Sequence, residues 1–194
     1  MTVSQKLRNN LGDLLSNSYK PQQEASDDMK KKGYKYDNEL SNMETKIFVD
    51  EESGEPVVVH RGTVRVKDWL DDAKLALGFG KSTQRVKDAQ EINRKVEAKY
   101  NKPVHNVGHS LGGFLAENAG GKGNIITYNK GAGLGDLFTK KNSKRQLDIR
   151  VKNDFPSMLT ILQNSNQETI ENKRSSIFKP INYLNAHKVN NLFF

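Results

Sequence analysis

The stretch Gly108-His109-Ser110-Leu111-Gly112-Gly113 decides the fold. A short apolar run, Pro103-Val104-His105-Asn106-Val107, precedes it and reads as a strand. Phe114-Leu115-Ala116-Glu117-Asn118-Ala119 follows and reads as the start of a helix. A serine flanked by glycines between strand and helix is the pattern of a nucleophile elbow. The reason is steric: the hydroxyl must be pushed out of the sheet on a sharp turn, where side chains at Gly108 or Gly112 would collide with their neighbours. A helix starting at the serine also points its free N–H groups at any negative charge that develops there.

Outward from the elbow, the chain alternates strands and helices. On the C-terminal side come a strand at Asn124-Ile125-Ile126-Thr127-Tyr128, a glycine-rich basic connector and a strand at Leu147-Asp148-Ile149-Arg150-Val151. On the N-terminal side, Ser82 or Thr83 caps a long helix running to Tyr100, with Val86, Ala89, Ile92, Val96 and Tyr100 turned inward. Asp68 to Leu77 reads as a further helix, broken by Gly78-Phe79-Gly80. Thr45-Lys46-Ile47-Phe48-Val49 and Pro56-Val57-Val58-Val59-His60, joined through Glu52-Ser53-Gly54, predict a hairpin. Residues 2 to 17 predict an amphipathic helix with a Thr2–Gln5 capping box and Leu7, Leu11, Leu14 and Leu15 on one face. Pro21 opens a second helix that Gly33 ends. A hairpin followed by alternating strands and helices predicts an α/β fold: a mainly parallel sheet with an antiparallel N-terminal edge and helices on both faces. The expectation is one domain over residues 1–194, with residues 1–40 a helical segment packed on it.

The chain has 194 residues and no cysteine, which rules out disulfides and thiolate metal sites. No apolar run approaches a membrane span, and the first ten residues lack a signal-peptide core. An intracellular or virion-associated location is expected rather than secretion. Lys and Arg total 31 against 23 acidic residues, a net charge of +8, which suits contact with an anionic membrane. The lysine clusters at 29–32 and 140–145 carry no interleaved aromatics, so nucleic acid is not expected as a partner.

If Ser110 is a nucleophile it needs a base and an acid. Of four histidines, His60, His105 and His109 are fixed by the strand backbone in positions awkward for reaching Ser110. His187, in a late turn-like segment, is left as the base. Asp154 lies just beyond the carboxyl end of the last clear strand, where parallel-sheet enzymes place functional groups. Asp136 is the rival, although a helix N-cap explains it without chemistry. The order Ser, Asp, His is the one α/β-hydrolases use. An oxyanion would be held by the N–H of Leu111 and by Thr63, in the loop His60-Arg61-Gly62-Thr63. This chemistry requires no metal or cofactor.

Together these segments resemble the class 3, fungal-lipase-like lipases of the α/β-hydrolase superfamily. Val57 to Thr63 is similar to that family's oxyanion strand and loop, which more often has an aromatic residue before the arginine. Asp68-Trp69-Leu70-Asp71-Asp72 is similar to its acidic helix, and Gly108 to Gly113 to its elbow. Arg150 to Pro156 resembles the strand and loop carrying the acid, and His187 its late histidine. The resemblance spans about residues 40 to 194. It implies a serine hydrolase of carboxylic esters, with lipid or other ester substrates. The chain lacks the family's disulfides, and the segment from Thr63 to Ser82 is brief for a large lid. The apolar residues within it (Trp69, Leu70, Leu75, Leu77, Phe79) read as core at helical spacing. The competing reading is a non-catalytic membrane- or virion-associated binding protein on the same fold. All three triad residue types survive, which argues against it.

Overall fold

The computed structural model describes residues 4–62, 84–131, 145–151 and 166–170. Five helices run through them: α1 Gln5–Asn9, α2 Leu11–Asn17, α3 Gln22–Lys30, α4 Gln84–Tyr100 and α5 Leu111–Asn118. Seven strands, β1 Tyr34–Tyr36, β2 Thr45–Asp50, β3 Pro56–His60, β4 His105–His109, β5 Ile125–Tyr128, β6 Gln146–Val151 and β7 Asn166–Ile170, form one sheet in chain order. β1–β2 and β2–β3 are antiparallel; every pairing from β3 to β7 is parallel. This is the expected mainly parallel sheet with an antiparallel N-terminal edge.

The two faces of the sheet follow from the two-residue alternation of its strands. Val57 and Val59 of β3 join Leu7, Leu11, Leu14 and Leu15 in the core under the N-terminal helices. Val58, between them, faces the other way and packs with Ile47, Val96 and Val104 beneath α4. Helices therefore cover both faces, and β4, which carries the elbow, has three strands on each side.

The first helix departs from the expected span. It breaks at Asn10 (φ −98°, ψ 9°), whose side-chain amide donates to the Lys6 carbonyl at 2.9 Å. Asn is prone to such local competition with helical bonding. Its cap is Ser4, whose hydroxyl accepts from Leu7 N–H at 3.1 Å. The second helix runs as expected, with Pro21 as its N-cap and Gly33 at φ 76° beyond its end. In α4, Val86, Ala89 and Val96 are buried as expected, whereas Ile92 and Tyr100 are half-buried. Strands β1 and β7 were not legible from the pattern. The expected helix from Asp68 to Leu77 and its apolar residues lie outside the described residues.

Candidate active site

Ser110 lies on the turn between β4 and α5 with φ 56° and ψ −123°. A non-glycine residue held at positive φ is strained and persists only where its surroundings over-determine it. Here the constraints come from three directions. Ser110 N–H donates to the Tyr128 carbonyl of β5 at 3.1 Å, and its own carbonyl accepts from Gly113 N–H at 3.0 Å. The glycines leave no slack: a Cβ on Gly108 would lie 2.0 Å from Gly112 O, and one on Gly112 would lie 2.1 Å from His60 O. The elbow is thus wedged between strand β3 and its own helix, as the sequence implied.

The serine hydroxyl is buried and has no hydrogen-bond partner among the described residues. Ser110 is the N-cap of α5 and makes no side-chain cap bond. Buried hydroxyls are normally bonded, so an unsatisfied one at a strained turn marks a candidate reacting group. Leu111, next in sequence, opens α5, so its N–H belongs to the helix end that has no intrahelical acceptor. Thr63, Asp154, His187 and the rival Asp136 lie outside the described residues.

The other three histidines are each engaged. His60 donates from Nε2 to Asn106 Oδ1 at 3.1 Å, because the Asn106 amide nitrogen is committed to Gly120 O. His105 Nδ1 accepts from Asn124 N–H at 3.0 Å, and Nε2 faces Glu55 at 3.0 Å. His109 Nδ1 meets Tyr19 Oη at 2.9 Å. Burial, opposed by the Asn106 hydrogen bond and aided by the Arg85 charge, pushes the His60 imidazole down to about 4.

Tyr19 was not read as functional, yet it bridges the two candidate catalytic loops. Its oxygen accepts from Gly62 N–H at 3.1 Å, leaving the phenol proton for His109, the neighbour of the serine. Burial raises the Tyr19 phenol to about 12, so it stays protonated. Gly62 itself lies against the elbow: a Cβ there would reach Ser110 Cβ at 3.3 Å. No local sequence signal marks this tyrosine, because its partners are 43 and 90 residues away.

A second unforeseen group lies behind the elbow helix. Lys130 Nζ donates to Glu117 Oε1 of α5 at 2.8 Å and to Asp148 Oδ2 of β6 at 3.3 Å. Thr127 and Gln146 complete the network through Asp148 at 2.6 and 2.9 Å. It ties the elbow helix to the two strands beyond it. Among the described residues, no three His, Cys, Asp or Glu side chains converge as metal ligands.

Comparison with known proteins agrees with the geometry. The fold is similar to that of Lip2 lipase from Yarrowia lipolytica, with a TM-score of 0.55, 15% sequence identity, and coverage of 92% of this chain and 83% of that one. Rhizomucor miehei lipase in its propeptide complex matches with a TM-score of 0.48 and 13% identity, over 82% of this chain and 65% of that one. Among curated proteins, none has a detectably similar sequence. Residues 16–174 match the Tle-like phospholipase domain of the phospholipase-like proteins. The chain therefore belongs to the Tle-like phospholipase family and is a lipase-like carboxylic ester hydrolase on an α/β-hydrolase fold.

Proposed function

We propose that the protein hydrolyses phospholipid acyl esters by a Ser110–His187–Asp154 triad. Ser110 Oγ attacks the ester carbonyl while His187 takes its proton, and the tetrahedral oxyanion is held by the N–H groups of Leu111 and Thr63. Collapse expels the alkoxide, which receives the proton from His187 and leaves an acyl-enzyme. Water, deprotonated by the same imidazole, then releases the fatty acid and restores the serine. Asp154 keeps the imidazole oriented and stabilises its charged form.

The observation that carries this reading is the strained Ser110 with a buried hydroxyl that no described residue satisfies. The engagement of His60, His105 and His109 elsewhere supports His187 as the base. A serine-directed fluorophosphonate should label the parent protein and leave Ser110→Ala unlabelled. In a phospholipid hydrolysis assay, Ser110→Ala, His187→Ala and Asp154→Asn should each lose about three or more orders of magnitude in turnover. Asp136→Asn should keep most of it. Labelling that survives Ser110→Ala, or Asp136→Asn falling furthest of the two aspartate variants, breaks the assignment.

A further inference from the structure

Near the serine lie two cations, Lys46 and Arg61, for which no counter-charge is found among the described residues. Lys46 of β2 pairs in register with Val59 of β3, and Arg61 N–H donates to the Glu44 carbonyl two residues further along the same ladder, at 2.8 Å. Positions two apart on a ladder share a face, so Lys46 and Arg61 belong to the side of the sheet that Val59 presents to the N-terminal helices. Lys46 Nζ donates to Ser18 O at 3.1 Å, and Arg61 acts electrostatically on both Lys46 and the neighbouring Tyr19. Lys46 is only 4% exposed, and Arg61 is half-buried. Among the described residues neither cation has a carboxylate partner: the ammonium has a main-chain carbonyl alone.

That arrangement is costly. Buried charges in folded proteins are paired, and a guanidinium cannot relieve the repulsion by losing its proton. Desolvation and the adjacent Arg61 push the Lys46 ammonium below its ordinary value. Two adjacent cations with no described counter-charge are complementary to an anion. Arg61 is followed directly by Gly62, which lies against Ser110, so an anion held here would sit beside the reacting carbon. In a glycerophospholipid the phosphate is only a few bonds from the acyl ester, and it is an anion suited to a guanidinium fork.

We infer that Lys46 and Arg61 form the site that holds the phosphate of a phospholipid while its acyl ester faces Ser110. Arg61 contacts the phosphate oxygens, and Lys46 lies beneath it and adds to the positive field. This rests on the proposed hydrolase reading for the fate of the ester, though the binding of phosphate does not require turnover.

The test therefore uses Ser110→Ala, which removes turnover and leaves the cations in place. By calorimetry below micelle-forming concentrations, it is titrated with dihexanoylphosphatidylglycerol, with dihexanoylglycerol and with inorganic phosphate. The phospholipid should bind at least about tenfold more tightly than the uncharged lipid, as charge-assisted contacts to phosphate imply. That preference should disappear when Arg61→Gln or Lys46→Met is added, and Arg61→Lys should keep part of it. Thermal melting identifies a variant that fails to fold, in which case the remaining two decide. Equal binding of the two lipids, or a preference that survives both neutral substitutions, overturns the inference. Inorganic phosphate binding as tightly as the phospholipid assigns the site to free phosphate and also overturns it. Failure of the serine assignment would appear in the labelling experiment and leave this titration readable.

Discussion

His60 ends β3 directly beneath Gly112, fully buried, with Nδ1 lacking any partner among the described residues. Burial alone would disfavour its protonation, and the imidazole falls from 6.5 to about 4. The unfolded chain takes up its proton near 6.5 and the folded chain only near 4, so between those values the unfolded state holds more protons. Stability from this residue is therefore complete above pH 6.5 and is lost as the pH falls toward 4, by about 3 kcal/mol in all. The melting temperature should drop across that window, and His60→Gln, which can still donate to Asn106, should flatten the drop. An unchanged slope in His60→Gln would show that other groups govern it. At the same scale Ser110 was readable because its flanking glycines are local. The place of Tyr19 beside the elbow was not, since its partners Gly62 and His109 lie 43 and 90 residues further along the chain.

Among the elements, α5 is held at both ends by different means. Its N-terminus is fixed by close backbone contact with β3, and its last turn by Glu117 on Lys130. The side chains of Lys130, Glu117 and Asp148 are 1%, 3% and 6% exposed, so removing the central cation leaves two buried carboxylates without its positive charge. Breaking such a buried group typically costs about 3–5 kcal/mol. Lys130→Met should lose stability on that scale in chemical denaturation, and adding Glu117→Gln and Asp148→Asn should recover part of it. A loss below about 1 kcal/mol would mean that the network is solvated and weak. The elements that the sequence revealed are the strongly patterned ones: the Val57-Val58-Val59 strand, the inward stripe of α4, and the elbow. β1 has only three residues, too few to show a period, and β7 is Asn-Gln-Glu-Thr-Ile, too polar to read as sheet. As the last strand of the order, β7 can carry that polarity, because an edge strand is better protected by charge than by apolar side chains.

For the whole molecule the net charge is +8, and of its two lysine clusters the one at 29–32 lies among the described residues while 140–144 lies outside them. In the 29–32 cluster Met29 is buried, Lys31 pairs with Asp28 and Lys32 pairs with Asp13. The net excess of positive charge is worth up to about 1 kcal/mol for each basic residue brought to an anionic surface. Binding to phosphatidylglycerol vesicles should exceed binding to phosphatidylcholine vesicles and should weaken as salt rises. Equal retention on both, at low and high salt alike, would remove electrostatics from the account. Among the described residues no helix is long and apolar enough to cross a membrane.

The strand order has a further consequence, for synthesis. Because each strand lies beside the one made just before it, the sheet can grow by one edge as the chain leaves the ribosome, and no strand waits for a distant partner. Every closure in the sheet is then between consecutive strands, which keeps its entropic cost low for a parallel architecture. The elbow is the exception to this running assembly. Ser110 needs Gly112 against β3, already made, and its own N–H on Tyr128 of β5, made later. The strained serine is therefore set only after the following strand has emerged. The contact between Arg8 of α1 and Glu168 of β7 must likewise wait until β7, 160 residues later, has been made.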